Sequence, residues 1–371
     1  MSPRMRRIAI AVAASTMSLS LAGCGMLSAT EDSGEATPTK SNDITVGVLM
    51  PEKTNTRYEE FDYPIIKAKV ASLTNNKGKT EYANADAKSA TQVTQMERMI
   101  DEKVDIILLD AVDSHAVADT VQKAKDAGIP VIAYDRLAEG PIDAYVSFDN
   151  ELVGEVQGRT LVESLDAPST ADKIVMMNGS PTDPNAKQFK SGAMSELSGR
   201  VTIAESFDTK DWSPEVAQSN MAEAIKNIGK GNIAAVYSAN DAMAGGIIKA
   251  LRAAGVEDLP PITGQDAELP AVQRILSGEQ YMSVYKPYPQ MAEAAAEMAV
   301  AKVQGRDIEF DALTRDKIDS PTNKEIPAQL VTVVALTKKN IKETVIADGI
   351  YKASDICTAK YAAACQALKL N

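Results

Sequence analysis

Histidine and tryptophan are almost missing from this 371-residue chain, which has one of each, His115 and Trp212, and only three cysteines. A lone histidine removes most metal-hydrolase and Ser-His-Asp proposals, because both chemistries are built on imidazole. The cysteines include no Cys-x-x-Cys pair and lie far from His115 in sequence, so a metal site is a poor reading and no cofactor is expected. Basic excess is missing as well. The formal charge is −12, a surface that repels polyanions and argues against nucleic-acid binding. A long apolar run is missing too. The candidate at the start, Ile8 to Leu21, is too short for a comfortable bilayer span.

That short run has a different use. It follows Arg4, Arg6 and Arg7 and ends in Leu21-Ala22-Gly23-Cys24, the layout of an export signal. The last four residues resemble the lipobox of bacterial lipoproteins, in which the cysteine is diacylated and becomes the mature N-terminus. Residues 1–23 are then a signal peptide and Cys24 a lipidation site, with acyl chains holding the protein at the membrane at about 0.8 kcal/mol per buried CH₂. Removing three arginines and no acid takes the formal charge from −12 to −15. Residues 24–43 are small and polar without apolar period, a flexible tether. Cys357 and Cys365 face an oxidising compartment once the leader is used. A disulfide is the preferred reading, worth roughly 2 to 3 kcal/mol in the chain-entropy model.

From residue 44 onward, β-rich runs alternate with amphipathic stretches. Runs at 44–50, 79–85, 105–110, 129–135 and 145–149 are separated by helical patterns, and the series resumes at 173–179, 201–207, 233–240, 262–266 and 281–287. Strands alternating with helices of this length mean βαβ units and parallel sheets. The chain is also longer than one core usually supports, so two α/β halves are expected.

The runs end alike, on polar residues: Asp135 and Arg136, Asn178, Asn240 and Asp241, Gln265 and Asp266, Lys286. Ligand crevices of open parallel sheets lie at those ends. Each residue has a plainer reading. Asp241 and Asp266 suit helix N-caps, Lys286 a solvated strand end, Arg136 with Asp135 a surface ion pair, and Trp212 a core or staple position.

Taken together the motifs are specific. AYDR (133–136), SFDNELVG (147–154), NGSPTDPNAK (178–187), SANDAMAGG (238–246), GQDAELP (264–270) and VYKP (284–287) resemble the D-xylose-binding and multiple-monosaccharide-binding proteins of bacterial ABC sugar importers. The likeness runs from about 44 to 356. It implies the type I periplasmic-binding-protein fold, two Rossmann-like lobes with parallel sheets joined by a three-segment hinge. Residues 44–148 plus 286–327 would form one lobe and 149–285 plus 328–356 the other, with 357–371 as a C-terminal tail.

The resemblance also implies the ligand contacts: Arg57, Tyr58, Asp135, Arg136, Asn185, Trp212, Asn240, Asp266 and Lys286. The family usually places Trp after the first Arg, and Tyr58 offers less stacking area. Pro184 replaces the first Asn of the family's paired Asn. The residue types suit a sugar, whose hydroxyls each donate one hydrogen bond and accept two. Arg136→Ala is expected to cost at least about tenfold in sugar affinity and to leave the unliganded fold intact.

Leader and motifs together imply a lipid-anchored receptor on the outer face of the cell membrane that performs no chemistry. As a monomer it would hand one monosaccharide, D-xylose in preference, to an ABC permease. The alternative is a broader glucose or galactose receptor that also docks on a chemoreceptor or sensor kinase. An exported carbohydrate-active enzyme using Asp135 and Asp266 as its carboxylate pair is a third reading. A sugar-responsive repressor would need a helix-turn-helix ahead of residue 44, where the leader and tether stand.

Overall fold

The computed structural model describes residues 40–370, so the leader, most of the tether and Cys24 lie outside the described residues. The strands are β1 (Thr45–Met50), β2 (Lys79–Asn84), β3 (Ile106–Leu109), β4 (Val131–Tyr134), β5 (Ala144–Phe148), β6 (Lys173–Asn178), β7 (Thr202–Asp208), β8 (Ala235–Ser238), β9 (Met282–Tyr285), β10 (Asp316–Ile318), β11 (Ile326–Val331) and β12 (Val334–Thr337). Between them run α1 (Tyr63–Leu73), α2 (Ser89–Asp101), α3 (Ala118–Asp126), α4 (Asn150–Glu163), α5 (Pro184–Leu197), α6 (Pro214–Ile228), α7 (Asp241–Ala253), α8 (Leu269–Ser277), α9 (Tyr288–Val303) and α10 (Asp307–Leu313), with the short α11 (Ala353–Ile356) and α12 (Ala362–Leu368) at the end.

The first sheet has the order β10-β11-β5-β4-β3-β1-β2 and is parallel except for the β10–β11 pair. Strand β3 is buried along its whole length, as expected for a parallel strand covered on both faces. Alternate residues serve the two faces. Leu49, Ile107, Leu109 and Ala133 cluster with Met96, Met99 and Val121 of α2 and α3. Val48, Leu108, Ile132 and Phe148 cluster with Ile66 of α1 and Met291 of α9.

The second sheet begins as β7-β6-β8, all parallel. It continues through single bridges, Val236 to Ile262 and Gln265 to Val284, to the antiparallel pair β9-β12. The run 262–266 therefore does not form the strand expected from its composition. Positive φ at Asp266 (93°) and Ala267 (51°) turns the backbone out of the sheet, and the ladder survives only as bridges. Among the described residues no helix is long and apolar enough to cross a membrane.

The chain passes between the two sheet systems after β5, after β9 and after β11. The last passage differs from the expected division at 327/328. Ala328 to Val331 pair with Tyr145 to Phe148 in the first sheet, because β11 is a full six-residue strand, and only β12 joins the second. Near the end of the chain, Cys357 and Cys365 form a disulfide that joins the end of α11 to α12.

Candidate functional site

The C-terminal ends of both sheets face one cavity. It is lined by Glu52, Asn55, Arg57 and Tyr58 after β1, Asp135 and Arg136 after β4, and Asp183, Asn185 and Phe189 at the start of α5. Trp212 after β7, Asn240 after β8, Gln265 and Asp266 of the loop before α8, and Lys286 after β9 complete the wall. All nine positions taken from the motifs thus meet around one space. Asn178 and Asp241 do not line it.

Two cation-centred networks organise the wall. Arg57 is buried. Its Nε donates to Asp62 Oδ2 at 2.9 Å and its Nη2 to Asp135 Oδ2 at 2.7 Å. Its guanidinium lies 4.8 Å from the Tyr58 ring centre and 5.0 Å from that of Tyr288, within cation–π range. Lys286 pairs with Asp266 Oδ1 at 3.1 Å and sits over the rings of Phe148 and Phe189.

Arg136 anchors the other network. Its Nη2 donates to Glu52 Oε1 at 2.9 Å, its Nη1 to the Ala111 carbonyl at 3.1 Å, and its Nε pairs with Asp183 Oδ2 at 2.9 Å. The surface-pair reading of Asp135 and Arg136 is thereby overturned. Both are buried, and each pairs with other residues, Asp135 with Arg57 from a backbone of positive φ (59°) and Arg136 with Glu52 and Asp183.

The cap readings divide. Asn240 caps α7, its Oδ1 accepting from Met243 N at 2.9 Å, which leaves its amino group to face the cavity. Asp183 caps α5 through Asn185 N while also holding Arg136 and Trp212 Nε1, the latter at 3.0 Å. Asp241 and Asp266 are not caps, since α8 starts at Leu269 without a side-chain cap and α7 is capped by Asn240. Trp212 is buried, as its plainer reading held, yet its indole also forms part of the wall. A Cβ on Gly179 would fall 2.0 Å from the indole Cη2, so only glycine lets the ring lie there. Lys286 is buried, not solvated.

Burial and charge act against each other on the carboxyls. Burial works to raise Asp135, but Arg57, Lys286 and Arg136 overcome it and hold the group below its ordinary value. Burial raises Glu52 and Asp183, with Arg136 offsetting part of the effect. Asp62, fully buried behind Arg57, is pushed up to about 6 by burial against the pull of that arginine. Asn185 Oδ1 and Gln265 Oε1 are buried acceptors without a protein hydrogen-bond partner among the described residues. Buried acceptors of that kind call for donors.

Glu52, Asn55, Asp183, Phe189 and Gln265 line the cavity without having been singled out as contacts. Four of them stood within reach of recognised motifs. Asn55 is two residues from Arg57 and binds Asp266 Oδ2 through its Nδ2 at 2.9 Å. Asp183 and Gln265 adjoin assigned residues, and Phe189 is one helical turn after Asn185. Among the described residues no cluster of side chains suits a metal ion.

Residues 46–307 match the family described as periplasmic binding protein domain. The D-xylose-binding periplasmic protein of Escherichia coli K12 is 35% identical over 322 residues, covering 85% of this chain and 93% of its own length. The multiple sugar-binding periplasmic receptor ChvE of Rhizobium radiobacter is 32% identical, covering 84% and 92%. An ABC transporter solute-binding protein of Clostridium phytofermentans, solved with bound β-D-glucose, superposes with a TM-score of 0.77 at 29% identity, covering 84% of this chain and 99% of that one.

Proposed function

Since the chain belongs to the periplasmic-binding-protein family, we propose that it is an exported receptor that captures one neutral monosaccharide and delivers it to an ABC importer. The lobes would be 44–148 with 286–331 and 149–285 with 332–356, closing on the sugar as one binding-selected state. Cys24 would carry the lipid that holds the receptor at the membrane.

The observation that carries this reading is the wall itself. Acceptors (Asp135, Asp266, Asn185 Oδ1, Gln265 Oε1), donors (Arg57, Lys286, the Asn240 amide) and aromatic rings (Tyr58, Phe189, Trp212) come from both sheet systems and line one cavity. A sugar needs that mixture, with hydroxyls that donate and accept and C–H faces that rings can cover. The reading of Asp135 and Asp266 as the carboxylate pair of a glycosidase is disfavoured. A general acid for glycoside cleavage needs a raised carboxyl, whereas Asp135 is held low and tied to Arg57.

D-Xylose is the favoured ligand, on the strength of the E. coli relative, with D-glucose next on the strength of the clostridial structure. Isothermal titration of the mature chain with D-xylose, D-glucose, D-galactose and L-arabinose tests both steps. One-to-one binding tightest for D-xylose is expected. No binding to any of the four, by folded protein free of copurified sugar, would sink the reading. Cys24→Ser is expected to move the exported protein from the membrane fraction to the soluble one.

A further inference from the structure

Gln265 and Asp266 reach the cavity from a backbone that L-residues rarely adopt, with φ at +93° for Asp266 and +51° for Ala267. Such conformations persist only where the surroundings over-determine them. The surroundings here converge on Asp241, a fully buried carboxyl that does not line the cavity. Its N–H donates to the Gln265 carbonyl at 3.1 Å. Its Oδ2 accepts from Glu268 N at 3.0 Å and from Ser283 Oγ at 2.8 Å. Ser283 Oγ in turn accepts from Ala267 N at 3.0 Å. A Cβ on Gly264 would lie 1.9 Å from Asp241 Oδ1, so the carboxylate sits directly against the loop backbone.

We propose that Asp241 is a positioning residue that clamps the 264–268 loop and so aims Gln265 and Asp266 at the ligand. The proposal rests on the sugar-site reading for its ligand, and on geometry alone for the clamp.

The donors around Asp241 leave no room for an amide in its place. Arg274 Nε donates to Gln280 Oε1 at 3.0 Å, which turns the Gln280 amino group toward Asp241 Oδ1 at 2.7 Å. Ser283 has one hydroxyl proton, and its oxygen already takes the Ala267 N–H, so that proton also goes to Asp241. Both carboxylate oxygens are therefore acceptors. In Asp241→Asn the new amino group meets the Gln280 amino group, and a buried donor is left unmatched. Adding Gln280→Glu reverses the polarity of that contact. The new carboxylate accepts from the new amide on one oxygen and from Arg274 on the other, while the first oxygen loses the bond that the Gln280 amino group donates to the Met282 carbonyl at 3.0 Å, so the reversal is partial.

Hydrogen exchange by mass spectrometry on the peptide covering residues 262–270, without sugar, reads the clamp, and calorimetry with D-xylose and D-glucose reads the aim. Asp241→Asn is expected to speed exchange there at least about tenfold, with β6 unchanged, and to weaken sugar binding at least about tenfold. The double variant Asp241→Asn/Gln280→Glu is expected to recover part of both losses, the lost Met282 bond keeping it below the wild type, and even a partial rescue is one that a general packing role would not produce. Ser283→Ala removes one strut only and must loosen the same peptide. Unchanged exchange in that variant overturns the clamp, whatever the fate of Asp241→Asn. Loosened exchange with unchanged affinity overturns the positioning role. If the wild-type protein binds no sugar, exchange still judges the clamp, and the sugar reading alone falls.

Discussion

Arg57 and Asp135 come from the ends of strands that are not neighbours in the first sheet, yet Arg57 Nη2 meets Asp135 Oδ2 at 2.7 Å in a buried pair. Strand β3 separates the two strands, so the pair bridges the C-terminal edge of the sheet. It fixes a donor and an acceptor on the cavity wall in one geometry. Tyr58 reinforces it, its hydroxyl donating to the same Asp135 oxygen at 3.3 Å.

Asp135→Asn tests that geometry. The amide keeps the shape but leaves Arg57 facing only Asp62 and, at 3.8 Å, Asp266. Removing one partner of a buried pair costs about 3 to 5 kcal/mol where nothing replaces it. The expected result is a lowered melting temperature together with at least about a tenfold loss of sugar affinity. Calorimetry and thermal melts of the same preparation check the two separately, and full affinity in the variant would exclude Asp135 as an acceptor for sugar.

Arg136→Ala now carries a different expectation from the one its sequence position suggested. Truncation would leave Glu52, Asp110 and Asp183 around an empty guanidinium site, with Asp110 fully buried. The unliganded protein should therefore lose stability as well as affinity. Asp183→Asn is the gentler probe. It weakens the one ion pair of Arg136 that joins the two sheet systems and leaves Glu52 in place. By small-angle scattering the unliganded Asp183→Asn protein is expected to be more expanded than the wild type, and identical profiles would show that this pair does not hold the halves together.

The strands were readable because β3 and β4 are fully buried, and burial on both faces leaves only apolar residues to write there. Polar residues at their ends then stood out, which is why Asp135, Asn240 and Lys286 could be picked from the chain. Phe189 carried a weaker signal, its place one helical turn after Asn185, since an apolar residue on α5 reads as core until Lys286 is seen above its ring. Glu52 reads as a loop acid until Arg136 is found beside it. The 262–266 run misled for a related reason. Ile262 and Thr263 read as the start of a strand, and nothing in the run marks the positive φ that Asp266 adopts.

Asp62 makes stability depend on pH. Burial lifts its carboxyl from an ordinary 3.8 to about 6 despite Arg57. Between those values the native protein holds a proton that the unfolded chain has released, so the group's contribution is fullest below about 4 and is lost as pH rises through about 6. At about 1.4 kcal/mol per pH unit, the loss is at most about 3 kcal/mol. Asp62→Asn removes the proton and the dependence with it. Melting temperatures of both proteins from acid to pH 8 should converge at low pH and separate in favour of the variant as pH rises. A constant difference across the range would show that Asp62 does not titrate there.

The balance of charge on the wall predicts which sugars are refused. Glu52, Asp135, Asp183 and Asp266 face Arg57, Arg136 and Lys286, so the cations are already matched by carboxyls and none is left to neutralise an anionic ligand. Arg57 is committed to Asp62 and Asp135, and Arg136 to Glu52 and Asp183. A sugar acid would bring another carboxylate into a buried space, where an unpaired charge is costly. D-Glucuronate and D-xylonate should therefore bind at least about a hundredfold more weakly than the neutral sugar, or about 2.7 kcal/mol. Glu52→Gln should narrow the gap, because it removes one negative charge beside Arg136 and frees part of that cation. Competition calorimetry against the neutral sugar measures both ratios. Equal binding of acid and neutral sugar by the wild-type protein would mean that the wall presents an uncommitted cation.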